Sequence, residues 1–247
     1  MSKVFTYSFL SILAVSTVAQ SESLVPLKFH PKQNDKTNAD FIKQKSNRRI
    51  AALTLPFFDD FYQTDIFPDV NLWQDNFVFI NSTYPKETVT VGVATFDGTN
   101  ASGKPYSSSS TSVDSAADKL TSNPIDLSGL TSGDNVFLSF YYLQGDFGET
   151  PQAPNDLLTV QYLDTSGNWN IMWQVTADNF LHMRQVFLKV DSIYLNENFQ
   201  FRFQSFGNLN GANDIWHIDY VKLDKNRDTA AERNIKEMAY DFLPPSL

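Results

Sequence analysis

The stretch Phe199-Gln200-Phe201-Arg202-Phe203-Gln204 alternates a phenylalanine with a polar side chain. A period of two puts the three rings on one side of an extended backbone, where a helix would scatter them around its circumference. The segment is therefore a strand with one face in a core, and its texture recurs along the chain. Residues 135–143 (NVFLSFYYL) place Val136, Leu138, Phe140 and Tyr142 on one face and Phe137, Tyr141 and Leu143 on the other, as in a strand buried on both sides. Residues 156–163 (DLLTVQYL) and 169–175 (WNIMWQV) flank Ser166-Gly167-Asn168, which reads as a hairpin turn. Residues 185–190 turn Val186, Leu188 and Val190 inward, and residues 214–223 (DIWHIDYVKL) form a last strand. Strand and turn follow each other with almost no helical period across residues 53–224, which predicts an all-β, two-sheet antiparallel sandwich. Its loops 97–118 and 145–155 are rich in Ser, Gly, Pro and Asn, the kind of segment that carries contacts on such a scaffold.

The flanks differ in character. Residues 1–19 read as a secretory signal: Lys3 is the positive start, residues 4–15 (VFTYSFLSILAV) are apolar, and Thr17-Val18-Ala19 offers small residues for cleavage before Gln20. The apolar run falls short of the roughly 20 residues that span a bilayer. Residues 20–52 lack periodicity and carry Lys28, Lys32, Lys36, Lys43, Lys45, Arg48 and Arg49. They read as an extended basic leader, either a solvated linker or a docking peptide. After Asp224 the pattern turns helical in residues 225–247. Thr229 and Glu232 are spaced as a capping box, and Ile235, Met238, Ala239 and Phe242 lie on one stripe that ends at Pro244-Pro245. A stripe this short needs a surface to dock on, and the ending Pro-Pro-Ser-Leu looks like the start of a further segment.

Composition narrows the function classes. The chain has no cysteine, so thiol chemistry and disulfides are excluded, and stability must rest on a core that 21 Phe, 10 Tyr and 4 Trp can fill. A net charge of −9 argues against nucleic acid and anionic membranes as partners. Its 22 Asp against 6 Glu suit turns, and leave divalent cations open.

Two phrases carry a resemblance. Residues 120–129 (LTSNPIDLSG) lead into the strand at 136–142, and residues 213–221 (NDIWHIDYV) close the domain. Together with PFFDDFY at 56–62 and Trp73, they resemble the jelly-roll of MAM domains and of the bacterial cleaved-adhesin and choice-of-anchor modules. Residues 91–106 (VGVATFDGTNASGKPY) are similar to surface proteins of bacteria that use type IX secretion. The resemblance implies a two-sheet antiparallel jelly-roll sandwich with a short C-terminal helix. It also implies an exported interaction or adhesion module at the cell surface or outer membrane, with envelope proteins as partners. Glycan binding is the alternative, and glycoside hydrolysis a more distant one. Two departures stand out: Tyr220 replaces the second Asp of the closing motif, and the MAM disulfides are missing. In that bacterial group O-glycans sit on Asp-Ser/Thr followed by an apolar residue, which points to Ser115, Ser192 and Thr229.

Candidate sites follow from residue type. Asp59 and Asp60 in the opening strand and Asp219 in the closing one become neighbours if those strands pair, and clustered carboxylates call for a structural Ca²⁺ or for hydrogen-bond donors. Asp97, Asp146 and Asp214 are lesser cation candidates. His30, His182 and His217 are scattered, with no zinc spacing, G-x-S-x-G elbow or phosphate-binding glycine loop. His217 and Asp219 share a strand face but lack a nucleophile, and none of the six Glu residues is set as a glycosidase pair. No enzyme is expected. Tyr84, Tyr106, Phe147 and Trp169 are the aromatics placed for contact with a partner or glycan, while Trp173 and Trp216 belong to core strands.

Overall fold

The computed structural model describes residues 31–33, 39–43, 51–62, 65–86, 88–108, 114–146, 149–178, 180 and 182–233. The 1–19 signal, Phe147, His30 and the stripe at 235–242 lie outside these. Ten strands are found among the described residues: β1 Phe57–Asp59, β2 Phe79–Asn81, β3 Val93–Phe96, β4 Asp114–Thr121, β5 Phe137–Gln144, β6 Leu157–Leu163, β7 Trp169–Thr176, β8 Arg184–Lys189, β9 Phe201–Asn208 and β10 Trp216–Asp224. They form two antiparallel sheets, one ordered β2-β3-β10-β5-β8 with β1 also on β10, the other β4-β9-β6-β7. This is the two-sheet jelly-roll sandwich.

The alternation read in the sequence is the alternation of burial. Phe199, Phe201 and Phe203 are fully buried. Phe203 meets Phe140 of the facing sheet edge to face, with ring centroids 4.9 Å apart. Trp73 sits edge-on to both Phe57 and Phe201. Edge-to-face pairing of this kind adds to the burial of large aromatic areas, and it lends cohesion to a sandwich built without cysteine.

β10 is the organising strand. β5 runs along one flank, while β3 pairs with Trp216–Ile218 and β1 with Val221–Leu223 on the other. Between these two pairings the register slips at Tyr220, which takes a left-handed φ of 50°. The bulge keeps Ile218 and Val221 both in the core. β1 and β3 meet end to end there: a Cβ on Gly92 would lie 2.0 Å from the Phe61 carbonyl oxygen, so only glycine fits. The outward side of β10 is buried as well at His217 and Asp219, beside residues 82–86 and 88–91. Val89 and Thr90 bond Asp219, and Tyr84 lies beside His217.

The aspartate excess is spent largely on turns. Asp69, Asp126, Asp134 and Asp164 each accept a nearby backbone N–H. The hydrogen bonds from Ser128, Thr131 and Asn168 hold the exposed Asp126, Asp134 and Asp164 below the usual carboxylate range.

Two local expectations change. The cap of the helical turn Thr229–Glu232 is Asp228, which accepts from Ala230 and Ala231. Glu232 turns away to pair with the buried Arg227, so no capping box forms there. The leader is not simply solvated: its described parts, a 3₁₀ turn at Pro31–Gln33 and helical residues 39–43, bury Lys32 and Phe41 against the sandwich.

Candidate functional site

The opening and closing strands do pair, and Asp59 lies opposite Val221. Protein donors fill the two buried carboxylates there. Asp59 accepts from the Trp73 indole at 2.6 Å and from Phe61 N at 2.8 Å. Burial nevertheless pushes it up to about 6. Asp219 accepts from Val89 N, Thr90 N and the Thr90 hydroxyl, and burial pushes it to about 6 as well. Asp60 caps Tyr62 N. Among the described residues no three His, Asp or Glu side chains converge as a cation site would need.

His217 and Asp219 do not share a bond. His217 Nε2 faces the Gly145 carbonyl at 3.1 Å, so it carries the proton, and Nδ1 accepts from the Thr95 hydroxyl at 2.9 Å. Thr95 in turn accepts from Asn81. Burial drives the imidazole down to about 4, so it is a neutral structural group at neutral pH.

The aromatics chosen from the sequence land in three settings. Tyr84 is exposed at the edge of Phe79. Trp169 is half-buried beneath the Arg202 guanidinium, 4.3 Å from its ring centre, and Arg202 is held by Gln161. Tyr106 is half-buried and donates its hydroxyl to Asp118 at 2.6 Å. Of the hydroxyls, Ser115 and Ser192 are exposed and Thr229 is half-buried.

A site that residue patterns did not reveal forms where three segments converge at one end of the second sheet. A hollow of about 280 Å³ is lined by Asp114 at the start of β4 and by Glu149, Gln152, Asn155 and Asp156 of the β5–β6 loop. Asn208, at the end of β9, and Asn213 with Asp214 complete it. A second hollow of about 510 Å³ shares Asp114 and Asn155 and is floored by Pro154, Leu157 and Phe206. The walls are tied together: Gln152 N donates to Asp156, Ile215 N to the Glu149 carbonyl, and Asn208 N to Asp214. Gly207 leaves the space Asp214 needs, since a Cβ there would stand 2.5 Å from its Oδ2. Asp214 is raised well above the usual range by burial, against the pull of Asn208 N–H. The nearby carboxylates of Asp156 and Glu149 add to the rise. The combined groove thus has acceptors and amide donors on one side and an apolar floor on the other.

No family model matches the chain, and no curated protein does. Solved structures of similar shape include the CBM22-1 xylan-binding domain of Xyn10C from Paenibacillus barcinonensis. It has 12% identity and a TM-score of 0.39, over 72% of this chain and 99% of that one. Another is the K3 cleaved adhesin domain of Lys-gingipain from Porphyromonas gingivalis, with 12% identity and a TM-score of 0.41 over 68% and 96%. A third is TmCBM61 in complex with β-1,4-galactotriose, with 10% identity and a TM-score of 0.33 over 62% and 86%. Likeness at this level carries no ligand and no residue role across.

Proposed function

We propose that the chain is a non-catalytic binding module of the cell exterior that takes a glycan in the groove between Asp114, Asp214 and Phe206. The supporting observation is the two-sided lining. Sugar hydroxyls need acceptors and donors in their plane, here the carboxylates of Asp114 and Glu149 with the amides of Gln152, Asn155 and Asn213. The C–H face of a sugar ring needs an apolar floor, here Pro154, Leu157 and Phe206. Export rests on the signal character of residues 1–19. Calorimetry against a panel of soluble polysaccharides tests the proposal. A ligand should bind with its affinity reduced about tenfold by Phe206→Ala, the worth of one aromatic contact. Binding that is indifferent to both Phe206→Ala and Asn213→Ala would remove the groove from consideration.

A second reading, contact with envelope or outer-membrane proteins, is favoured by β7. This edge strand is eight residues long and uncharged, and Ile171 is 54% exposed. The other long edges carry charge: Asp114, Asp118 and Lys119 on β4, Arg184 and Lys189 on β8. Among the described residues no loop or turn backbone bonds to β7 beyond its pairing with β6. An unguarded edge accepts a partner strand. Gln174→Pro should then abolish co-purification with envelope proteins, and unchanged recovery would count against this route.

A further inference from the structure

The sandwich contains a built cage for a primary ammonium, and its occupant comes from the leader. Lys32 is 1% exposed, and its Nζ meets three acceptors: the Phe77 carbonyl at 2.6 Å, Asp97 Oδ1 at 2.7 Å and the Thr99 carbonyl at 2.9 Å. An ammonium has three protons to donate, so this set satisfies it. The Phe79 ring stands 5.9 Å away on a further side.

The cage has supports of its own besides the lysine. Asp97 is oriented by the backbone N–H and the hydroxyl of Thr99. Behind it Asp118, fully buried, accepts from Asp97 N, Gly98 N and the Tyr106 hydroxyl. Gly98 takes a left-handed φ of 69°, and a Cβ there would stand 2.8 Å from two backbone carbonyls, so the loop carrying Asp97 is fixed in place. All acceptors and their supports come from residues 77–118, whereas the ammonium arrives from 45 or more residues earlier. A buried charge without its partner is costly, so the filled cage is a strong, directional contact. A second anchor follows along the leader: Phe41 packs on Phe67, with ring centroids 5.5 Å apart, and on Val70.

We infer that the leader is a tethered ligand of its own sandwich: the Asp97 cage is a recognition site for a lysine ammonium, and it retains residues 31–43 by Lys32 even when the chain is cut behind them. This is independent of the groove and its ligand. The test uses the full chain with a protease recognition sequence in place of residues 44–50. After cleavage, the leader fragment should remain at one copy per sandwich by native mass spectrometry and gel filtration. Lys32→Met should speed its release at least about 30-fold, as removal of one partner of a buried charge pair does. Since Lys32→Met leaves Asp97 buried and unpaired, the double variant Lys32→Met/Asp97→Asn serves as a neutral cage. Its near-ultraviolet circular dichroism should be unchanged, and its leader should still be lost. Release of the wild-type leader on cleavage would overturn the inference. So would retention by Lys32→Met as firm as in the wild type, or elution as a swapped dimer.

Discussion

Replacing Asp219 by Asn separates the charge of this buried side chain from its hydrogen bonds. Burial raises its pKa in the folded chain to about 6, against 3.8 for an exposed aspartate. That gap corresponds to about 3 kcal/mol of destabilisation carried by the folded state at pH 7.5. The sign follows from proton binding. The folded state holds the proton more tightly than the unfolded state, so stability rises as pH falls from about 6 to 3.8. An amide removes the charge but keeps the contacts. Its oxygen can accept from Val89 N and Thr90 N, as Oδ2 does now. Its NH₂ can donate to the Thr90 hydroxyl, whose own proton, given to Asp219 in the wild type, can turn to the Asp60 carbonyl at 2.9 Å. Asp219→Asn should therefore be as stable as the wild type at pH 7.5, or more stable by up to about 3 kcal/mol. At pH 5.0 the gain should shrink by about half as the wild-type carboxyl protonates. Asp219→Ala strands the buried Thr90 N–H and the half-buried Val89 N–H and should cost about 2–5 kcal/mol at both pH values.

Urea unfolding followed by tryptophan fluorescence measures all three proteins, with calcium and with chelator. If Asp219→Asn falls as far as Asp219→Ala at pH 7.5, the carboxylate charge is needed and the argument from burial fails. A wild-type midpoint that drops on chelation would say why, by placing a cation among Asp59, Asp60 and Asp219. Chelation should leave it unchanged, because protein donors already fill Asp59 and Asp219.

Three further outcomes can be checked. His217 should titrate near pH 4, with the proton on Nε2 above that. Its depressed pKa gives stability that is full above about 6.5 and lost as pH falls towards 4, and an imidazole titrating near 6.5 by nitrogen-15 NMR would contradict its bonds to Thr95 and Gly145. Gly92→Ala should destabilise by about 3 kcal/mol or more, because backbone rather than a flexible side chain must yield, and an unchanged melting temperature would refute the β1–β3 junction. Intact mass of the native protein should show hexose increments that disappear in Ser115→Ala/Ser192→Ala, both sites being exposed.

What the sequence disclosed tracks the range of the interaction involved. β5, β6, β7, β8, β9 and β10 were legible because each has a face against the core, and burial there imposes a period of two over six to nine residues. β1, β2 and β3 span three or four residues each and are set by pairing with β10 or with one another, so they leave no period to read. The groove was hidden for a related reason. Asp114, Asp156 and Asp214 are neighbours only because β4, β9 and the β5–β6 loop meet, and each of them alone looks like one more turn aspartate. Lys32 is the sharpest case. In a polar stretch a lysine is by composition a solvated charge, and nothing within ten residues of it says otherwise. Its burial is decided by two carbonyls and a carboxylate at positions 77, 97 and 99, brought to one point by β2, β3 and the turn after β3. A leader held this way is part of the folded unit, and a surface partner would meet the sandwich with its cage already filled.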